Sequence, residues 1–281
     1  MPPAEAAAFL AGAAPELRGE MAGEGPPIVL CHGITATRRH VTHGSRALER
    51  AGFSVVSYDA RGHGESDPAP AGEGYGYPLL VADLERVVAG TVGERRFLLA
   101  GHSMGAHTAV AYALAHPERL AGLVVIGPVY AGEIPPATLA YWDGLADALA
   151  GGGVDGFLAY IERNQEIDPA WRDSVLRFTR ERMLLHRHLD AIERALREVP
   201  RSRPFGAMSD LERIDVPALV VASRDDADPG HPYETAAAYA ERLPRATLVS
   251  EEEGDSPLAW QGGRLSRELA GFYANALSSN S

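Results

Sequence analysis

The sequence predicts an α/β fold: a mostly parallel sheet covered by helices on both faces, with a helical cap inserted between two strands. Three observations carry this. Short apolar and β-branched runs alternate with helical patterns through the first half of the chain. About 90 residues then separate Gly127 from Ala218, too many for one crossover helix. Finally, Gly101-His102-Ser103-Met104-Gly105 joins an apolar strand directly to an Ala-rich helix.

Taken in order, the predicted strands are 28–31, 53–58, 97–101, 123–127, 218–222 and 246–250. Between the first four, helical faces are predicted from Val41, Leu48 and Ala51, then from Leu80, Leu84, Val87 and Val88, then from the small residues after Ser103. Strand, helix, strand in repetition means parallel pairing, because a parallel return needs a crossover. Within the insertion, helices are predicted over 138–150, 154–164, 169–185 and 188–199. Gly151-Gly152-Gly153 breaks the first from the second, and Asp168 and Pro169 open the third as N-cap and first helical residue. The predicted domains are a core of 1–130 and 211–281 and a cap of 131–210.

Composition narrows the partners. With 46% hydrophobic and 23% charged residues the chain can bury a full core. A net charge of −12 disfavours nucleic acid and anionic membranes and leaves a small, partly apolar molecule as the expected substrate. All 26 basic residues are Arg, so Schiff-base chemistry and Ser-Lys dyads are excluded. The single cysteine, Cys31, lies in an apolar run and reads as a buried thiol. No basic leader and no long apolar stretch is present, which predicts a cytoplasmic protein; the oligomeric state is left open. Asp225, Asp226, Asp228 and His231 are ligand-type residues without a spacing that fixes a geometry, so no metal and no cofactor is predicted.

The chemistry centres on Ser103. A strand-turn-helix with glycines at 101 and 105 holds a serine on a sharp, strained turn, where larger neighbours would block the approach of helix to strand. His32-Gly33-Ile34-Thr35 leaves the first predicted strand, so the backbone N–H groups of Ile34 and Met104 are the candidate oxyanion donors.

Through His32-Gly33, Asp59-Ala60-Arg61-Gly62-His63-Gly64-Glu65-Ser66 and Gly101-His102-Ser103-Met104-Gly105, the chain resembles the α/β-hydrolase family over roughly residues 15–130 and 211–281. The resemblance implies the fold and says little about the substrate. It implies a catalytic carboxylate after strand 218–222. Asp228-Pro229-Gly230-His231-Pro232 is similar to the family's turn and favours Asp228, whereas distance from the strand favours Asp226. It also implies a general-base histidine after the last strand, where this chain has Glu251-Glu252-Glu253-Gly254-Asp255-Ser256 and no histidine follows His231. Asp255, standing in that place, is an intrinsically poor base at about 3.9 against about 6.5 for His. Three substitutes are open: His231 folding back, His186 or His188 reaching from the cap, or Asp255 with a raised pKa. The other histidines read as structural, with His40, His43 and His107 on helices. Cap aromatics, Trp142 and Phe178 among them, are expected to line an apolar pocket. The expected activity is hydrolysis of a carboxylic ester or related acyl bond, as in an esterase. The alternative is a descendant that keeps the fold and binds a small molecule or catalyses a non-hydrolytic reaction.

Overall fold

The structure is a computed structural model and describes residues 6–11, 14–224 and 228–278 of the 281-residue chain. Strands β1 (Ala7–Ala11), β2 (Leu17–Ala22), β3 (Pro27–Cys31), β4 (Ser54–Tyr58), β5 (Phe97–His102), β6 (Leu120–Ile126), β7 (Ala218–Val221) and β8 (Ala246–Val249) form one sheet in the order β1-β2-β4-β3-β5-β6-β7-β8. β1 with β2 and β2 with β4 are antiparallel, and the other pairs are parallel. The six predicted strands are all present. β1 and β2 were not predicted.

The helices are α1 (Ala47–Arg50), α2 (Tyr77–Thr91), α3 (Met104–Ala115), α4 (Pro136–Asn164), α5 (Pro169–Met183), α6 (Leu189–Glu198), α7 (Tyr233–Arg242) and α8 (Gly262–Ser278). Successive strand residues point to opposite faces. Phe97 and Leu99 of β5 join a layer with α2, α3 and α7, while Leu98 and Ala100 join another with α1 and α8. Every residue of β3 and β6 is buried, which is why these strands read as unbroken apolar runs. Each fully buried Leu or Val adds roughly 1.5–3 kcal/mol, so the two layers are the main source of stability.

The helix predicted from Val41 to Ala51 is only the four residues of α1. His43 at φ 48° and Gly44 at φ 73° turn the chain out of helical geometry just before it, and His40 and His43 lie in this turn instead of on a helix. Between β6 and β7 the insertion holds α4, α5 and α6. α4 bends at Gly153 (φ 57°, ψ −150°), as the glycine run predicts, and the Asp168 carboxylate caps α5 by accepting the Ala170 N–H at 2.7 Å. The apolar centre of the insertion continues into the sheet domain through Ile34, Tyr75, Tyr77 and Met104. The insertion is therefore packed directly onto the C-terminal edge of the sheet around Ser103.

Two features of this packing are testable. A Cβ on Gly105 would overlap the carbonyl oxygen of Cys31, because α3 crosses β3 in backbone contact. Gly105→Val should lower stability by about 3 kcal/mol or more, read as a fall in urea midpoint; an unchanged midpoint would contradict the close crossing. Burial holds the imidazoles of His107 and His186 down to about 3. Both remain neutral in the native protein but protonate in the unfolded chain below about pH 6.5, so stability is full above that pH and falls as pH drops towards their native values. Each should remove about 2 kcal/mol between pH 6.5 and 5. A urea midpoint that stayed flat over this range would contradict their burial as neutral groups.

Candidate functional site

β5 delivers Ser103 to the C-terminal edge of the sheet, and α3 begins at the next residue. Ser103 has φ 54° and ψ −115°, a strained geometry for a residue with a side chain. Two hydrogen bonds fix it: Ser103 N–H donates to Ile126 O at 2.9 Å, and His107 N–H donates to Ser103 O at 3.1 Å. A Cβ on Gly101 would overlap the Gly105 carbonyl, so the turn needs glycine at both predicted positions. The loop after β3 passes close by. A methyl group on Gly33 would stand 3.4 Å from Ser103 Cβ and 3.2 Å from His102 Nδ1. Among the described residues, neither Ile34 N–H nor Met104 N–H donates to a protein acceptor.

The loop after β7 brings Asp228 and His231 to the same edge. His231 N–H donates to Asp228 O at 3.1 Å and closes the turn, and the imidazole Nδ1 lies 2.8 Å from Asp228 Oδ1. An ionised carboxylate only accepts, so Nδ1 carries the proton and Nε2 of a neutral His231 is left as an acceptor. Nε2 makes no protein hydrogen bond among the described residues. The ring lies over Gly127, where a Cβ would come within 3.1 Å of His231 Cδ2. It also stacks at a tilt on His102, with centroids 4.9 Å apart. The imidazole is thus held beside the residue preceding Ser103. Asp225 and Asp226 lie outside the described residues.

The electrostatics are those of a partly dry site. Burial alone would raise the Asp228 pKa, but the charge and hydrogen bond of His231, with His102 and Arg182 nearby, turn the shift downward and keep the carboxylate ionised. His102 is driven down to about 3 by burial and then by His231, so it is neutral. Arg182, from the last turn of α5, places its charge close enough to act on Asp228, and its buried Nε has no hydrogen-bond partner among the described residues. Its Nη2 donates to Thr179 Oγ1 at 3.2 Å.

The other candidates are elsewhere or already engaged. Asp255 is exposed and faces Arg264 Nη1 at 3.4 Å, an ordinary surface pair. His186 is buried with both ring nitrogens hydrogen-bonded to backbone groups, and His188 occupies the N-cap position of α6. Phe178 does not line a pocket: it is 53% exposed, with the Arg177 guanidinium 5.0 Å from its ring, because this face of α5 points to solvent. Trp142 is half-buried against the apolar cluster that contains Ile34 and Met104. Burial raises the Cys31 thiol to about 12 beside Tyr58, so it is not a nucleophile at neutral pH.

Two residues in this region were not singled out from sequence. Glu251 opens a run of three glutamates, yet it is buried and accepts from Arg224 N–H, from Leu258 N–H at 3.0 Å and from the Ser223 hydroxyl at 3.3 Å. It ties the loop after β7 to the loop after β8. Arg182 is one of five arginines spread through α5 and the segment after it, and no sequence signal separates it from its exposed neighbours.

Comparison with known proteins agrees with this architecture. The α/β-hydrolase fold family profile matches residues 26–260. Epoxide hydrolase B of Mycobacterium tuberculosis is 37% identical over 110 residues, which cover 39% of this chain and 31% of that protein, about a third of the relative's length. A 2-hydroxy-6-oxononadienedioate/2-hydroxy-6-oxononatrienedioate hydrolase of Pseudomonas putida is 32% identical over 214 residues, covering 73% of both chains. Among solved structures, a thermophilic esterase from Thermogutta terrifontis with malate bound superposes with a TM-score of 0.74 at 21% identity, over 97% of this chain and 99% of its own. An enol-lactonase from Burkholderia xenovorans gives 0.70 at 21% identity, over 97% and 100%. These similarities at low identity speak to fold, and the profile and the Pseudomonas relative to kinship: the chain belongs to the α/β-hydrolase family.

Proposed function

We propose that the protein is a serine hydrolase that cleaves a carboxylic ester or related acyl bond of a small, partly apolar molecule. Ser103 is the nucleophile, His231 the general base and Asp228 its orienting acid. The observation that carries this reading is the Asp228–His231 pair, whose imidazole lies on Gly127 and His102 at the edge where Ser103 emerges. In this reading His231 Nε2 takes the Ser103 proton as Oγ attacks the acyl carbon. The Ile34 and Met104 N–H groups hold the developing oxyanion, and His231 then returns the proton to the leaving group. Water, activated by the same imidazole, releases the acyl group. Asp228 keeps the Nδ1–H in place and stabilises the imidazolium.

The relatives named as hydrolases support the reaction class, and the chain's net charge of −12 supports a small molecule over nucleic acid. No helix among the described residues is long and apolar enough to cross a membrane. Residues 131–210 are read as a cap over a core of 1–130 and 211–281; the apolar cluster shared by the insertion, Ile34 and Met104 supports this division. A second reading, a binding protein or non-hydrolytic catalyst on the same fold, is favoured by one observation. The position after β8 where the family carries its base holds the exposed Asp255.

Steady-state hydrolysis of p-nitrophenyl esters separates the two. Ser103→Ala and His231→Ala should each lower kcat by roughly 10³-fold or more, and Asp228→Asn by on the order of 10²- to 10⁴-fold. Asp255→Ala should stay within about threefold of the parent, because that carboxylate is solvated. Turnover that survives Ser103→Ala would exclude covalent catalysis, and loss of turnover in Asp255→Ala with His231→Ala unaffected would transfer the base to Asp255.

A further inference from the structure

Three consecutive carbonyls of the loop after β3 each face a histidine ring nitrogen. His32 Nδ1 lies 2.8 Å from Gly33 O, His63 Nε2 lies 2.8 Å from Ile34 O, and His186 Nε2 lies 3.2 Å from Thr35 O. Two of the tautomers are fixed by the opposite nitrogen. His32 Nε2 accepts Ala60 N–H at 2.9 Å and His186 Nδ1 accepts Gly64 N–H at 2.9 Å, so the proton of each sits on the nitrogen that faces the loop. The rings form a contiguous row, with centroids 5.1 Å apart for His32–His63 and 5.6 Å for His63–His186.

His32 and His63 belong to the same domain as the loop, but His186 comes from the insertion, three residues after the end of α5. Its segment is clipped to the sheet domain at the next residue, since Arg187 N–H donates to Gly64 O at 3.0 Å and the Arg187 guanidinium pairs with Glu65 at 2.9 Å. Peptide planarity then transmits the contact. Thr35 C=O belongs to the same rigid peptide group as Ala36 N–H, which donates to Gly33 O at 3.0 Å. Gly33 C=O in turn shares its peptide group with Ile34 N–H. Fixing Thr35 O therefore fixes, through two peptide planes, the direction of the Ile34 N–H.

The geometry points to His186 as a positioning residue: the docked insertion aims the Ile34 N–H, so seating of the insertion and formation of the oxyanion site are one event. The inference rests on the reading that Ile34 N–H is an oxyanion donor. A misaimed donor lowers transition-state stabilisation and leaves ground-state binding nearly untouched, so the effect belongs in kcat and not in KM.

The test compares the full-length parent with His186→Leu and His186→Gln in p-nitrophenyl ester hydrolysis, with amide hydrogen exchange of residues 33–36 measured on the same samples. Leu has no donor. Gln can donate to Thr35 O and accept from Gly64 N–H. The expected result is a fall in kcat of about tenfold or more for His186→Leu with KM within about twofold, faster exchange at 33–36, and recovery of most of the kcat in His186→Gln. Unchanged kcat and unchanged exchange in His186→Leu would overturn the inference while leaving the serine-hydrolase reading intact. Equal losses in both variants would also overturn it, because they would report general destabilisation. If the parent itself shows no turnover, the hydrolase reading fails and the exchange measurement decides alone: equal protection at 33–36 in parent and His186→Leu overturns the inference, and faster exchange in the variant upholds the coupling.

Discussion

Close contact between backbones at the crossing of α3 and β3 governs the site. Ser103 is held at φ 54°, ψ −115°, a conformation costing on the order of 1–3 kcal/mol, because Gly105 lies against the Cys31 carbonyl and Gly101 against the Gly105 carbonyl. The Ser103 N–H is tied to β6 at Ile126 O. Once the elbow is set, the rest is positioned from it. α3 is buried along most of its length, with Gly105, Ala106, Ala109 and Ala113 among its buried residues. Gly33 gives the loop after β3 room to pass beside Ser103, and Gly127, at φ 54° just after β6, leaves room for the His231 ring, which would stand 3.1 Å from a Cβ there. Burial of the surrounding layers offsets the strain of the turn.

Charge at the site is sparse, and its distribution follows from burial. His102, His107 and His186 are neutral because desolvation outweighs every favourable neighbour, and His32 is pushed down in the same sense. Their ring nitrogens are thereby available as fixed donors and acceptors. His107 shows the structural use: its Nε2 accepts from both Val129 N–H and Tyr130 N–H, at 3.0 and 3.1 Å, and so anchors the chain leaving β6. Asp228 keeps its charge because His231 is bonded to it and the Arg182 guanidinium lies nearby. The proposed base thus differs from its neighbours in one respect: a carboxylate is directly hydrogen-bonded to its ring.

How much of this is legible in the sequence depends on where each signal is encoded. Five of the six parallel strands are visible because two-sided burial demands near-continuous apolar runs, and β8, an edge strand without a fully buried residue, is visible through Thr247, Leu248 and Val249. β1 and β2 are not, since Ala7–Ala11 is a mostly exposed edge segment in which three of five residues are Ala, and β2 carries Gly19, which the Phe9 ring covers across the pair. The elbow and its glycines are local and were readable, as were the breaks at Gly153 and Asp168. The place of His231 beside His102 depends on a tertiary turn, so sequence could offer it only as one substitute among several. The burial of Glu251, the exposure of Phe178 and the inward direction of Arg182 depend on which way a loop or helix face turns. Residue type alone does not encode that.

The central claim is that His231, held by Asp228, activates Ser103. Intact-protein mass spectrometry during reaction with a fluorophosphonate tests it most directly, comparing the parent with Ser103→Ala and His231→Ala. A single adduct that is absent in Ser103→Ala and forms at least about a hundredfold more slowly in His231→Ala is the predicted result. No adduct on the parent, or an adduct on Ser103 whose rate is indifferent to His231, would contradict it.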